Sequence, residues 1–209
     1  VSYDFTEPHE EAPAPRDVAV VVLGGTLATG TGDPKAQGWV TRVMGRTRAE
    51  DLRLTAYNLA VVGDTSAEVL QRSSTEALDR WKGHDERKLV VSVGLEDARS
   101  NLSIARHRLN LANTLDAAAA SGIAVFVVGP APTGEVAFDD LLERYAEAQA
   151  DVCARRGVGF VDCLAPLRSY EHWLTDLAAG EGLPGQAGYG LIAWLVLNNG
   201  WRDFMGVVA

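Results

Sequence analysis

The chain is poor in cysteine, in cationic charge and in long apolar runs, and each shortage removes a class of function. Its two cysteines, Cys153 and Cys163, are too few for a disulfide framework and lack CxxC spacing, so they read as buried thiols. Lys and Arg number 19 against 28 Asp and Glu, a formal charge of −9. A field of that sign repels phosphate backbones and anionic headgroups, which makes nucleic acid and membrane surfaces poor partners. A small-molecule or protein partner is expected instead. No stretch approaches the roughly 20 apolar residues of a spanning helix. Residues 1–16 are acidic and proline-bearing, without the apolar segment of a signal peptide. The expected location is cytoplasmic, a removed upstream segment aside. What remains is ordinary: 47% hydrophobic and 22% charged residues over 209 positions, enough for a sizeable core without covalent or metal staples.

A regular alternation fills that length. Residues 1–16 read as a solvated tail and 17–209 as one domain. Apolar runs at 18–23, 52–59, 89–93, 123–128 and 158–161 each end near Gly, Pro or Asp. Runs apolar on both faces are those of parallel strands covered by helices. Helical spacing appears at 102–120 and 141–152, with shorter helices at 39–44, 67–81 and 188–197. Strands separated by helices give right-handed βαβ units and a three-layer α/β/α domain. In such sheets the ligand site lies beyond the carboxyl ends of the strands.

Those ends carry Gly24-Gly25-Thr26-Leu27-Ala28-Thr29-Gly30, then Asn58-Leu59-Ala60-Val61-Val62-Gly63-Asp64, then Gly94-Leu95-Glu96-Asp97. Near the C-terminal end stands Gly180-Glu181-Gly182-Leu183-Pro184-Gly185-Gln186-Ala187-Gly188-Tyr189. At these residues the chain resembles the SGNH, or GDSL, hydrolases, with the blocks in that family's order from about Asp17 to Leu197. The resemblance implies a flavodoxin-like sheet of five parallel strands in order 2-1-3-4-5, and hydrolysis of carboxylic esters. Carried over position by position, it puts the nucleophilic serine at Thr26 and the aspartate before it at Gly25. The oxyanion-hole glycine falls at Gly63 and the oxyanion-hole asparagine at Glu96, beside a retained Asp97. The base histidine falls at Leu183, and the aspartate that would orient it at Gly180.

The chemistry of these replacements is adverse. Leucine cannot accept the proton of a hydroxyl nucleophile, and glycine cannot orient a base. An ionised glutamate only accepts hydrogen bonds and repels a developing oxyanion. Of the four histidines, His9 lies in the tail, His84 at the wrong edge of the sheet, and His107 on a solvated helix face between arginines. His172 is the one substitute base on offer, with Asp176 four residues on to orient it. The expected function is a catalytically degenerate SGNH-like protein whose old cleft binds a small, ester-like ligand or a partner. The alternative is a divergent esterase working through Thr26.

Other readings rest on the same loops. The glycine-rich stretch 24–32 is neither GxGxxG nor GxxxxGK[ST]. A flavin-phosphate loop built on Thr26, Thr29 and Thr31 would face Asp64, Glu96 and Asp97, which disfavour a dianion. No cofactor is therefore expected, and although Asp64 and Glu96 could together hold a divalent cation, two scattered carboxylates without a ligand motif do not make a metal site, so none is expected. The same acids predict a cleft of negative potential, with Asp97 tying down its own loop. Trp194, with Leu191, Leu195 and Leu197, is expected on the apolar face of the last helix. The apolar stretch 201–208 is expected to pack on the domain or contribute to a homodimer. Arg42, Arg46, Arg48 and Arg53 read as a solvated, salt-bridging cluster.

Overall fold

The computed structural model describes residues 14–207. The tail expected over residues 1–13, with His9, and Val208 of the apolar C-terminal stretch lie outside the described residues. In chain order the elements are β1 (Arg16–Gly24), α1 (Thr26–Thr29), α2 (Gly38–Arg46), β2 (Leu52–Asn58), α3 (Ser66–Ser73), α4 (Glu76–Trp81), β3 (Glu86–Ser92) and α5 (Leu95–Arg99). Beyond them come α6 (Ile104–Ala120), β4 (Ala124–Val128), α7 (Val136–Ala154), β5 (Gly159–Val161), α8 (Leu164–Leu167), α9 (Glu171–Ala179), α10 (Gln186–Asn198) and α11 (Trp201–Met205). All strand pairs are parallel, in the order β2-β1-β3-β4-β5.

The continuous apolar run of β1 reflects its central place. Alternate side chains leave a strand on opposite faces, and here both faces are covered. Val18, Val20 and Val22 enter one core with Trp39, Tyr189, Ile192 and Trp201. Ala19, Val21 and Leu23 enter the other with Val69, Trp81, Leu111 and Leu115. Strand β2, at the sheet's edge, is only half-buried.

Several expectations are corrected. The helix expected over 67–81 is two helices, broken at Ser74-Thr75, where short polar side chains compete with the helical backbone. Strand β3 begins three residues early, at Glu86, because its charges find partners: Arg16 donates two hydrogen bonds to Glu86, and Lys88 Nζ donates to Phe204 O. Helix α9 has no counterpart in the sequence pattern; its buried Trp173 and Leu177 are a single i,i+4 pair, too short a signal to read. Trp194 is 60% exposed, because Tyr189, Ile192, Ala193 and Val196 take the buried face of α10. Trp201 and Met205 of α11 pack on the chain's own core. Among the described residues, no helix is long and apolar enough to cross a membrane.

Both cysteines are buried and free. Burial pushes Cys153 up to about 12 and raises Cys163 as well. Since the thiolate is the nucleophile, iodoacetamide at pH 8 should leave the folded protein unmodified and label both residues in urea. Mass spectrometry of the alkylated protein checks this; labelling at native rates comparable to free thiol would refute the packing.

Candidate functional site

Pairing of β1 with β3 sets Gly24 opposite Ser92, so the segments leaving these strands start side by side. Thr26 opens the first turn of α1, and Glu96 lies in the first turn of α5. The chain after β2 runs along the tip of β1, with Val61 N donating to Gly24 O, and brings Gly63 to the same place. The Thr26 hydroxyl donates to Glu96 Oε1 at 2.6 Å, and Gly63 N–H donates to Thr26 Oγ1 at 3.2 Å. Thr26, Glu96 and Gly63, scattered over the sequence, therefore form one hydrogen-bonded unit. Thr26 is 6% exposed, and the void beside it is about 10 Å³, room for about one water molecule.

Gly25 belongs to the same arrangement. A Cβ there would stand 2.8 Å from Asp64 O and 3.0 Å from Glu96 Cγ. The Asp64 carbonyl and the glutamate side chain together occupy the space that any side chain at position 25 would need.

Two of the acids expected to make the cleft negative, Glu96 and Asp64, are paired with arginines that the sequence analysis did not single out. Arg99 donates to Glu96 Oε1 at 3.1 Å, and Arg72 donates to Asp64 Oδ2 at 2.5 Å. The first pair has the i,i+3 spacing of a helix face and is legible from sequence; the second spans a loop and a helix and is not. Among the described residues, no group of three His, Cys, Asp or Glu side chains is placed to hold a metal ion.

Asp97 ties down more than its own loop. Its carboxylate accepts from Gly94 N–H at 3.2 Å, and from Ser66 N–H and Oγ–H, the latter at 2.5 Å. His107, expected on a solvated face, is completely buried, with Nδ1 3.3 Å from Asp97 Oδ1 and its ring edge-on to Tyr145. The Gln149 amide donates to Val93 O at 2.8 Å and lies 3.2 Å from His107 Nε2. Burial pushes the Asp97 carboxyl up, but His107 and the Ser66 donors outweigh it and hold it below the usual carboxylate range.

The remaining candidates are not brought to Thr26. His172 is exposed on α9, its ring stacked on Tyr170 at 5.3 Å. Asp176 Oδ2 instead accepts from Gly185 N–H at 2.6 Å and Gly188 N–H at 2.9 Å, fastening the start of α10. His84 lies just before β3, 3.0 Å from Asp17. Leu183 and Arg99 line a second void of about 10 Å³, which shares Leu27 and Leu95 with the first. At Gly180 a Cβ would meet Leu183 O at 2.2 Å. The turn from Gly180 to Leu183 has no room for a side chain at position 180.

Comparison with known proteins agrees with this geometry at the level of fold and family. The model of the GDSL-like lipase/acylhydrolase family matches residues 14–191. Among solved structures, a lipase/acylhydrolase from Enterococcus faecalis superposes with a TM-score of 0.70 at 22% identity, covering 90% of this chain and 95% of that one. TesA gives 0.68 at 21% identity, over 86% and 96%. A catalytic mutant of Axe2, an acetylxylan esterase from Geobacillus stearothermophilus, gives 0.74 at 14% identity, over 89% and 94%. At such identities these likenesses concern the fold alone. No curated protein sequence matches the chain.

Proposed function

Because the chain belongs to the GDSL-like lipase/acylhydrolase family, we propose that it is a catalytically degenerate member, whose former cleft holds at most a small group or a partner. One observation carries this reading. The Thr26 hydroxyl is held between Glu96 and Gly63 N–H, with no histidine among its partners and little more than a water's volume beside it. Acyl transfer needs a base for the hydroxyl and donors for the oxyanion. Here the remaining glycine donor is already engaged by the hydroxyl, and a carboxylate stands where a donor is required. Losing one oxyanion donor costs about 3–4 kcal/mol, and losing the nucleophile–base unit costs on the order of 10⁶ in rate.

A second reading, a divergent esterase, is favoured by the 2.6 Å contact itself, which puts a carboxylate at proton-transfer distance from Thr26. Hydrolysis of short-chain p-nitrophenyl esters separates the two. Degeneracy predicts background turnover in the unmodified protein and in Thr26→Ala alike. Turnover that disappears in both Thr26→Ala and Glu96→Gln would establish the esterase, with Glu96 as its base. The expected cytoplasmic location belongs with this proposal, as does a small ester-like ligand.

A further inference from the structure

On the side of the sheet where Val18, Val20 and Val22 are buried, α2, α10 and α11 leave an open groove of about 510 Å³. Its walls include Arg46, Arg48, Arg202, Trp194 and Val207. Of the arginine cluster read from the sequence, Arg42 does form an ion pair, with Asp33 at 2.5 Å. Among the described residues, Arg46, Arg48 and Arg202 form none, and all three are exposed. Arg46 and Arg48 donate only to backbone carbonyls, of Arg42 and Gly45, so among the described residues three arginines line one groove with no carboxylate paired to them, on a chain of charge −9. Beside them stands Trp194, 60% exposed, while Trp39, Trp81, Trp173 and Trp201 are at most 4% exposed. Cations around an aromatic face suit a ligand that offers carboxylates and apolar rings together.

The chain carries such a ligand. Residues 1–13 contain four carboxylates (Asp4, Glu7, Glu10 and Glu11), the aromatics Tyr3 and Phe5, and no Lys or Arg. They join the fold next to the groove. The Arg16 guanidinium at the start of β1 donates to Met205 O and Gly206 O, both at 3.0 Å, and the next residue, Val207, is in the groove wall. At about 3.3 Å per residue, thirteen residues reach roughly 40 Å, ample for the span. Tethering also raises the effective concentration of the segment at its site to the millimolar range, so modest contacts suffice. We propose that the acidic segment 1–13 is the ligand of this groove, its carboxylates on Arg46, Arg48 and Arg202 and an aromatic ring against Trp194. The inference is independent of the reading of the Thr26 site.

Acrylamide quenching of tryptophan emission tests it on the full chain; the quencher is neutral, so the arginines do not concentrate it. Trp194→Phe assigns the signal. In the unmodified protein Trp194 should be protected. Arg48→Glu with Arg202→Glu should expose it, making about one fifth of the emission quenchable, the share of one tryptophan in five. Glu10→Lys with Glu11→Lys should do the same, and the four substitutions combined should restore protection. All of these residues lie on the surface or in the segment itself, so a cooperative urea transition is expected throughout. Equal quenching in all four proteins would overturn the proposal. So would exposure that responds to the groove reversals alone, or protection that grows with protein concentration, which would mark a second copy as the occupant.

Discussion

Replacing Asp97 with alanine is expected to lower the unfolding free energy by about 3–5 kcal/mol, the range for removing one member of a buried charged network. The reason is what stays behind. Gly94 N–H, Ser66 N–H and Ser66 Oγ–H all lose their acceptor in a place water does not reach, and His107 Nδ1 loses the carboxylate it faces. Each stranded donor costs about 1–3 kcal/mol, partly recovered by relaxation. Asp97→Asn should cost less, because one oxygen remains, but its NH₂ must then face donors. Urea denaturation monitored by circular dichroism measures both. A loss below about 1 kcal/mol for the alanine variant would show that the cluster does not hold α3, α5 and α6 together.

The same carboxylate predicts an acid dependence with a definite sign. Its pKa in the folded state lies below that of the unfolded chain, because the donors around it favour the ionised form. That contribution is fully present above the unfolded value, near 3.9, and is lost as pH falls through the folded value. The unmodified protein should therefore lose stability more steeply below about pH 4 than Asp97→Asn does. Parallel curves for the two would remove Asp97 as a source of acid unfolding.

The second large effect is expected at Gly180. Gly180→Asp is expected to destabilise the fold by about 3 kcal/mol, the upper end for overpacking. The obstacle is backbone: the new Cβ would sit 2.2 Å from the carbonyl oxygen of Leu183, and Leu183 N–H donates to Gly180 O at 3.0 Å to close that turn. Neither end can swing aside as a side chain would. Gly180→Ala should therefore be nearly as damaging, since the clash belongs to Cβ and not to the carboxylate. If alanine is tolerated and aspartate is not, the cause is charge and the steric account fails. Leu183→His alone should fold, because Leu183 is only half-buried. It should bring no ester turnover, since Thr26 remains held by Glu96 and Asp176 remains committed to the start of α10.

The residues at the strand tips are legible in the sequence because short-range rules place them. A continuous apolar run closed by glycine is a buried parallel strand, and the residues just past its carboxyl end must face the cleft. Thr26 and Glu96 stand at such tips, the family resemblance adds Gly63, and the three do form one hydrogen-bonded unit. Around His107 the helical pattern is legible, but the face it presents is not. Arginines on either side suggest solvent, whereas the packing of α6 and α7 buries the ring on Tyr145 and Gln149. Trp194 departs in the converse direction: an apolar residue among apolar residues, turned outward by the helical period.

The five-strand parallel layout and the family are both written in the chain alone. Periodicity, glycine placement and block order are local properties, displayed without reference to the fold. How those positions interact is a matter of tertiary packing. Glu96 packs into the space that Gly25 leaves open, and Arg99 and Arg72 balance the acids. The turn after α9 closes on itself at Gly180, and the cleft shrinks to about the size of one water. The contact of Glu96 with Gly25 joins residues far apart in the chain, through a distance of a few ångströms that no spacing rule encodes, whereas the Arg99–Glu96 pair is the helical i,i+3 spacing made real.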